Sequence, residues 1–476
     1  MDVSQFYGLL RSDFPHTTTN KQDTALKLMA EFILSDAKNE TFLLKGYAGT
    51  GKTTLIGTLV KNLWKAQKSF VLLAPTGRAA KVISNYSGKQ ALTIHKKIYM
   101  PKSEGVGKVV FSLQKNKARN VIFIVDEASM IPDINQDSRL FENGSLLDDL
   151  MQYVYSGHGC KLLLIGDTAQ LPPVKLDISP ALEEKTLENY YNKEVISLEL
   201  DEVVRQQKES GILYNATRIR DVLDSGFYEN FKISESYFPE VVRPQDGQEV
   251  MDAIQDSYDQ YGNEDTVIIV RSNKRANLYN QNIRQRILFR EEELSAGDYL
   301  MVVKNNYFWV KPHSEAGFVA NGDIIEVLEI FAIKELYGFR FAEVRVRMVD
   351  YPNMKPLETV LLLETLTSET PSLSYEDSNK LYEEVKKDYA DVKSNYKRFL
   401  SIKNNKYFNA LQVKFSYAIT CHKSQGGQWN TVFIEQPYLP NGMDKDYLRW
   451  LYTAMTRAKE RLYLLGFKGE FFEDSQ

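Results

Sequence analysis

Nine consecutive residues, Gly46-Tyr47-Ala48-Gly49-Thr50-Gly51-Lys52-Thr53-Thr54, have the types and spacing that hold a triphosphate. The glycines let the backbone wrap close to anionic oxygens, so that loop N–H groups and the start of the next helix point at them. Gly46, Gly49, Thr50, Gly51, Lys52, Thr53 and Thr54 are therefore candidate nucleotide contacts. The Lys52 amine reaches the β- and γ-phosphates as a point charge, and the Thr53 hydroxyl ligates the magnesium ion that bridges them. Two acids, Asp126 and Glu127, follow later in the chain. Asp126 suits the shell of that magnesium, and Glu127 suits a base that orients and deprotonates an attacking water. A second acid argues for transfer to water rather than to a substrate hydroxyl. Gln170, within Gly166-Asp167-Thr168-Ala169-Gln170-Leu171-Pro172-Pro173, is placed to contact the γ-phosphate or the water and to report its loss.

Each of these groups follows an apolar run. Thr41 to Leu44 precede the phosphate loop, Val121 to Val125 precede the acids, and Lys161 to Ile165 precede the Gln170 turn. Continuous apolar runs mark strands buried on both faces, and parallel sheets collect their site at the carboxyl ends of such strands. Phe70 to Ala74 is a further such run, ending at Thr76 and opening a helix through Gly77-Arg78-Ala79-Ala80-Lys81. Thr76 and Arg78 there suit a phosphodiester, or else a helix cap and a surface arginine. In Thr93-Ile94-His95-Lys96, His95 taken alone reads as a packed or capping histidine. A helical run from Thr19 to Ser35 puts Leu26, Met29, Ala30 and Ile33 on one face, one helix upstream of the phosphate loop. Gln22 on it has donor and acceptor enough to read an adenine edge, although a solvated glutamine is the simpler reading of the residue alone.

Composition bounds the rest. A chain of 476 residues exceeds one compact core and divides into about three or four folding units. A net charge of -4 gives no global basic field, so any nucleic-acid binding rests on a local groove. No secretory segment and no apolar run of about 20 residues is present, which predicts no membrane partner. Cys160 and Cys421 stand in neither a paired nor a metal-ligand spacing, so a reduced cytoplasmic setting without structural zinc is expected. Residues 99–119 carry Lys102, Lys108, Lys115, Lys117 and Arg119 around Val109, Val110 and Phe111, a basic hairpin that serves either as a wedge or strand guide for nucleic acid or as a plain solvated loop.

Taken in order, these segments resemble the motifs of superfamily 1 helicases, on the RecD-like and Dda-like branch that moves 5′ to 3′. The second half of the chain adds three more. Leu200-Asp201-Glu202-Val203-Val204-Arg205-Gln206 is similar to the segment bearing a γ-phosphate arginine, here Arg205. Tyr417 to Gly426 is similar to the segment coupling DNA to nucleotide, and Leu451 to Lys459 to the last motif, with Arg457 as a second arginine finger. The resemblance implies that Gln22 contacts adenine and that Thr76, Arg78, Thr93, His95, His422 and Ser424 contact the strand. Val204 stands where motors of opposite polarity often carry an aromatic for base stacking, which fits the RecD-like pattern.

The implied fold is α/β, with two RecA-like doubly wound parallel-sheet motor domains. The first spans 1–98 and 120–206 around the 99–119 hairpin, and the second spans 207–323 and 411–476. Between the halves of the second, 324–410 is expected to form an SH3-like β insertion with helix, including one amphipathic helix over about 377–400. The implied activity is an ATP- and magnesium-dependent DNA helicase. It would act as a monomer on single-stranded and on forked or tailed duplex DNA, alongside single-strand-binding or replication and repair proteins. An RNA helicase of the same superfamily and a nucleotide-gated scaffold that does not unwind are the alternatives. A DNA-against-RNA ATPase comparison separates the first of these, and turnover separates the second.

Overall fold

The computed structural model describes residues 1–476 except 105–107, 133–143, 205–209, 236–237, 312–313, 315 and 474–476, and gives the backbone alone at 101–104, 108–110 and 230. The first half contributes β1 (Glu40–Gly46), β2 (Ser69–Ala74), β3 (Ala91–Thr93), β4 (Tyr99–Glu104), β5 (Lys108–Leu113), β6 (Val121–Val125), β7 (Lys161–Gly166) and β8 (Glu194–Leu200). Six of these form one sheet in the order β3-β2-β6-β7-β1-β8, with every neighbouring pair parallel. Parallel neighbours need crossover connections, and helices Lys52–Asn62, Gly77–Ser87 and Leu146–Ser156 supply them.

Alternate residues of one strand serve opposite faces of this sheet. Phe42, Leu44, Ile122, Ile124, Leu163 and Ile165 join the core on one side. Leu43, Phe123, Val125, Leu162 and Leu164 join the core on the other. A strand buried on both faces favours apolar residues at every position, which is why these runs are apolar apart from Thr41 and Lys161, whose polar atoms are hydrogen-bonded. The strand order then sets the site. β6, β7 and β1 are adjacent, so the acids, the Gln170 turn and the phosphate loop emerge side by side, while β2 and β3 carry Thr76, Arg78, Thr93 and His95 on one flank.

The second half contributes β9 (Val241–Val242), β10 (Thr266–Val270), β11 (Tyr299–Val302), β12 (Ile324–Leu336), β13 (Phe339–Met348), β14 (Leu357–Leu362), β15 (Leu411–Phe415), β16 (Ala418–Thr420), β17 (Trp429–Glu435) and β18 (Ala458–Leu465). A second parallel sheet runs β16-β10-β17-β18-β9, and β11 to β15 close a barrel. On β13, Val344, Val346 and Met348 point into the barrel while Arg345 pairs outward with Glu329 and Glu358, the alternation expected of a half-buried strand. The first and last barrel strands lie outside 324–410. Closure draws them in because the free edges of β12 and β14 need backbone partners, and β11 and β15 pair with them.

A single helix over 377–400 is not what forms. Two helices, Tyr375–Lys387 and Asn395–Lys403, flank a turn. Ser394 caps the second by accepting the Lys397 N–H, and the Arg398 guanidinium donates to the carbonyls of Tyr389, Ala390 and Val392 at 3.1, 3.1 and 2.9 Å. Folding back lets Leu381, Val385 and Ile402 share one core with Phe339, Phe341, Val360 and Leu362 of the barrel. Tyr99–Glu104 and Lys108–Leu113 pair antiparallel as β4–β5, and Phe111 packs on Tyr307 with ring centroids 4.4 Å apart. Trp309 donates its indole N–H to Asn409 O at 2.7 Å, so it builds structure.

Candidate functional site

The phosphate loop turns on two residues in the left-handed region, Gly49 at φ 77° and Gly51 at φ 86°. A Cβ at Gly51 would stand 2.4 Å from Gln22 Nε2, so glycine is required there for space as well as for backbone conformation. Gln22 is 2% exposed, which rules out the solvated reading. Its Nε2 donates to Thr50 O at 3.0 Å and its Oε1 accepts the Thr19 N–H at 3.1 Å. Thr19 and Gln22 form a capping box, a three-residue spacing that the sequence displays openly. Lys52 Nζ donates to Gly46 O at 2.5 Å and to Tyr47 O at 2.9 Å, and Thr50 Oγ1 donates to Tyr47 O at 2.8 Å. Thr53 is exposed at the first turn of the following helix.

At the end of β6, Asp126 Oδ1 accepts the Glu127 N–H at 2.8 Å and Oδ2 accepts the Tyr86 hydroxyl at 2.9 Å. Burial pushes the Asp126 carboxyl above its ordinary range, against these two hydrogen bonds and the Lys52 charge. Glu127 adopts φ 53°, a conformation that costs of order 1–3 kcal/mol in a residue with a side chain and that concentrates at functional sites. Burial pushes its carboxyl up to about 7, with the Arg457 charge opposing and the Asp126 charge adding. A base poised near neutrality is what proton abstraction from water asks for. Gln170 is 7% exposed, and among the described residues its Oε1 has no hydrogen-bond partner. An acceptor left open at such a place can accept a hydrogen bond from a water molecule but not from a phosphate oxygen.

The second half of the chain closes over this face. Arg457 is 4% exposed, with Nε donating to Thr453 O at 3.0 Å, Nη1 to Gly427 O at 3.3 Å and Nη2 to Thr456 Oγ1 at 3.2 Å. On the helix Lys445–Met455, Tyr452 and Thr453 both bond to the first half. Neither stood out in the sequence, because a tyrosine and a threonine in a buried helix carry no signal of a distant partner. Arg205 lies outside the described residues. Just before it, the Val204 N–H donates to Gly49 O at 3.2 Å, bringing the chain to the lip of the phosphate loop.

The strand candidates divide. Thr76 caps its helix by accepting the Ala79 N–H at 3.2 Å, and Thr93 caps the next by accepting the Lys96 N–H at 3.2 Å. Burial lowers the pKa of His95 to about 4, so the ring is neutral at physiological pH and cannot serve as a cation for phosphate. His422 is exposed. Ser424 is fully buried and donates its hydroxyl to Cys421 O at 2.7 Å, which puts it beneath the surface. Arg78 is half-buried over the Trp429 ring, 3.9 Å from its centroid, so the helix after β2 and the start of β17 meet at the seam.

Two family models match the chain, an AAA domain over residues 20–223 and a UvrD-like helicase C-terminal domain over residues 415–465. An uncharacterized protein of Acanthamoeba polyphaga mimivirus is 25% identical over 93% of this chain and 98% of its own length. The ATP-dependent DNA helicase Dda of Enterobacteria phage T4 is 26% identical over 65% of this chain and 67% of its own length. A solved structure of two coordinating Pif1 helicases at forked duplex DNA aligns with a TM-score of 0.48 at 16% identity, over 97% of this chain and 95% of that one. With the phosphate loop, the paired acids and the last motif in their expected order, the chain is similar to superfamily 1 helicases, through the UvrD-like helicase model at residues 415–465 and the likeness to Dda.

Proposed function

We infer that this chain is an ATP-dependent DNA helicase that moves 5′ to 3′ along single-stranded DNA. The observation that carries the reading is the convergence of Lys52 and Glu127 from one parallel sheet with Arg457 from the other, close enough that the Arg457 charge acts on the Glu127 carboxyl. Lys52, already at the loop mouth, is the charge that grips phosphate. Glu127 takes one proton of the attacking water, and Gln170 Oε1 accepts a hydrogen bond from the remaining O–H and so fixes the direction of attack. Arg457, and Arg205 by resemblance, stabilise charge on the departing γ-phosphoryl group only when the two sheets close on it.

Thr53 and Asp126 are hard oxygen donors, the kind that magnesium takes one or two of beside phosphate and water, so this donor set fits the ion without a dedicated cluster. When bound, magnesium offsets the charge of the β- and γ-phosphates. We divide the chain as two RecA-like motor domains, 1–206 and 207–476, with the hairpin of 99–119 and an SH3-like barrel with its helices as insertions. Thr76, Thr93, His95 and His422 line the strand path, while Arg78 and Ser424 shape it from beneath. Single-stranded and tailed or forked DNA are the substrates, engaged by a monomer, and single-strand-binding, replication or repair proteins are the expected partners.

Duplexes with a single-stranded tail at one end test the reading. With ATP and magnesium, a 5′-tailed duplex should be unwound and a 3′-tailed one left intact. The opposite preference would overturn the polarity, and unwinding of RNA in place of DNA would move the chain to the RNA alternative.

A further inference from the structure

One helix of the second half, Lys445–Met455, reaches both catalytic loops of the first half through neighbouring side chains. The Tyr452 hydroxyl accepts the Ala48 N–H of the phosphate loop at 2.8 Å and donates to Asp167 Oδ2 at 2.7 Å. Tyr452 and Asp167 are each 1% exposed, so neither bond is shared with solvent. The other Asp167 oxygen accepts the Ala169 N–H at 2.9 Å, which shapes the turn leading to Gln170. One residue on, Thr453 Oγ1 accepts the Leu171 N–H at 2.8 Å, and Thr453 O receives Arg457 Nε at 3.0 Å. Phosphate loop, Gln170 turn and Arg457 are thus tied together by the hydrogen bonds of two adjacent residues on one helix, and the phenol is the member that touches the phosphate loop.

A hydroxyl is needed for this because it donates and accepts at once. A phenylalanine of the same shape would leave the Ala48 N–H and one Asp167 oxygen unpaired in a dry seam, a penalty incurred only while the sheets are closed. We propose that Tyr452 is a positioning residue that sets the register of Arg457 and Gln170 against the phosphate loop, so that it acts on the transition state of hydrolysis and not on nucleotide binding. The proposal rests on the reading of Arg457 as an arginine finger.

The test is Tyr452→Phe beside Arg457→Ala and the double variant, each with saturating single-stranded DNA. For Tyr452→Phe, kcat should fall about 10- to 100-fold, KM for ATP and affinity for ADP should change less than about threefold, and affinity for ADP–aluminium fluoride should fall with kcat. In the Arg457→Ala background the same substitution should cost less than in the wild type, the remainder being its effect through Gln170. Wild-type kcat in Tyr452→Phe, or equal losses of ADP and ADP–aluminium fluoride affinity, would overturn the proposal while leaving the finger intact. Full DNA-stimulated turnover in Arg457→Ala would overturn both. Should Tyr452→Phe fail to fold, Asp167→Asn is the second probe. It turns the acceptor facing the phenol into a donor, and the split between kcat and ADP affinity should reappear; a variant with wild-type kcat would contradict the proposal.

Discussion

The Arg78 guanidinium lies over the Trp429 indole, 3.9 Å from the ring centroid, joining the helix after β2 to the start of β17. Gly427 lets them meet, since a Cβ there would stand 2.6 Å from Arg78 Nε and from the indole edge. Burial holds the Arg78 pKa below its usual value, with the charges of Asp350, Asp265 and Glu264 opposing. An arginine so engaged contributes to the seam between the sheets by about 1–2 kcal/mol. Arg78→Ala should therefore lower the melting temperature by about 2–4 °C and leave the salt dependence of single-stranded DNA binding unchanged. A slope reduced by about one would instead mark a direct phosphate contact.

Gln170 offers a trade between stability and turnover. Its buried Oε1 lacks a partner among the described residues, a condition that costs about 1–3 kcal/mol, so Gln170→Leu should raise the melting temperature. The same change removes the acceptor for water and should lower DNA-stimulated hydrolysis about 10- to 100-fold. A variant that lost both stability and activity would show the amide to be a structural support.

Glu343 gives a pH signature for the barrel. Hydrogen bonds from Lys406, Tyr407 and Lys334 hold its carboxyl down at about 2, below the ~4.3 of an unfolded chain. A depressed carboxylate adds stability above the unfolded value and loses it as pH falls toward the folded one. With a fifth of the side chain exposed, the contribution at pH 7 is about 1–2 kcal/mol after screening. Glu343→Gln should be less stable than wild type at pH 7, with the two unfolding curves converging between about pH 5 and pH 2. A constant gap across that range would exclude the ionised carboxylate as the cause.

The sheet and its site were readable because burial on both faces leaves a mark in every residue of a strand. Leu43 and Leu44 look identical in sequence, yet they serve opposite cores, and either alone demands an apolar side chain. Asp126 and Glu127 stood out as the polar end of such a run. What escaped notice depends on partners distant in the chain. Tyr452 meets Ala48 across 404 residues, and nothing local distinguishes its phenol from that of any packed tyrosine. The apolar positions at helical spacing between Leu381 and Phe399 are equally compatible with one long helix and with two folded back on the barrel; the cap at Ser394 was the local clue. Gln22 was ambiguous alone, although Thr19 three residues before it already signalled a capping box.

Hydrolysis of ATP by the purified protein, with and without single-stranded DNA and beside Glu127→Gln, tests the central claim most directly. The account predicts strong stimulation by DNA in the wild type and a loss of about 10²- to 10⁴-fold in the variant, with DNA binding retained. Turnover indifferent to DNA, or a variant as fast as the wild type, would contradict it.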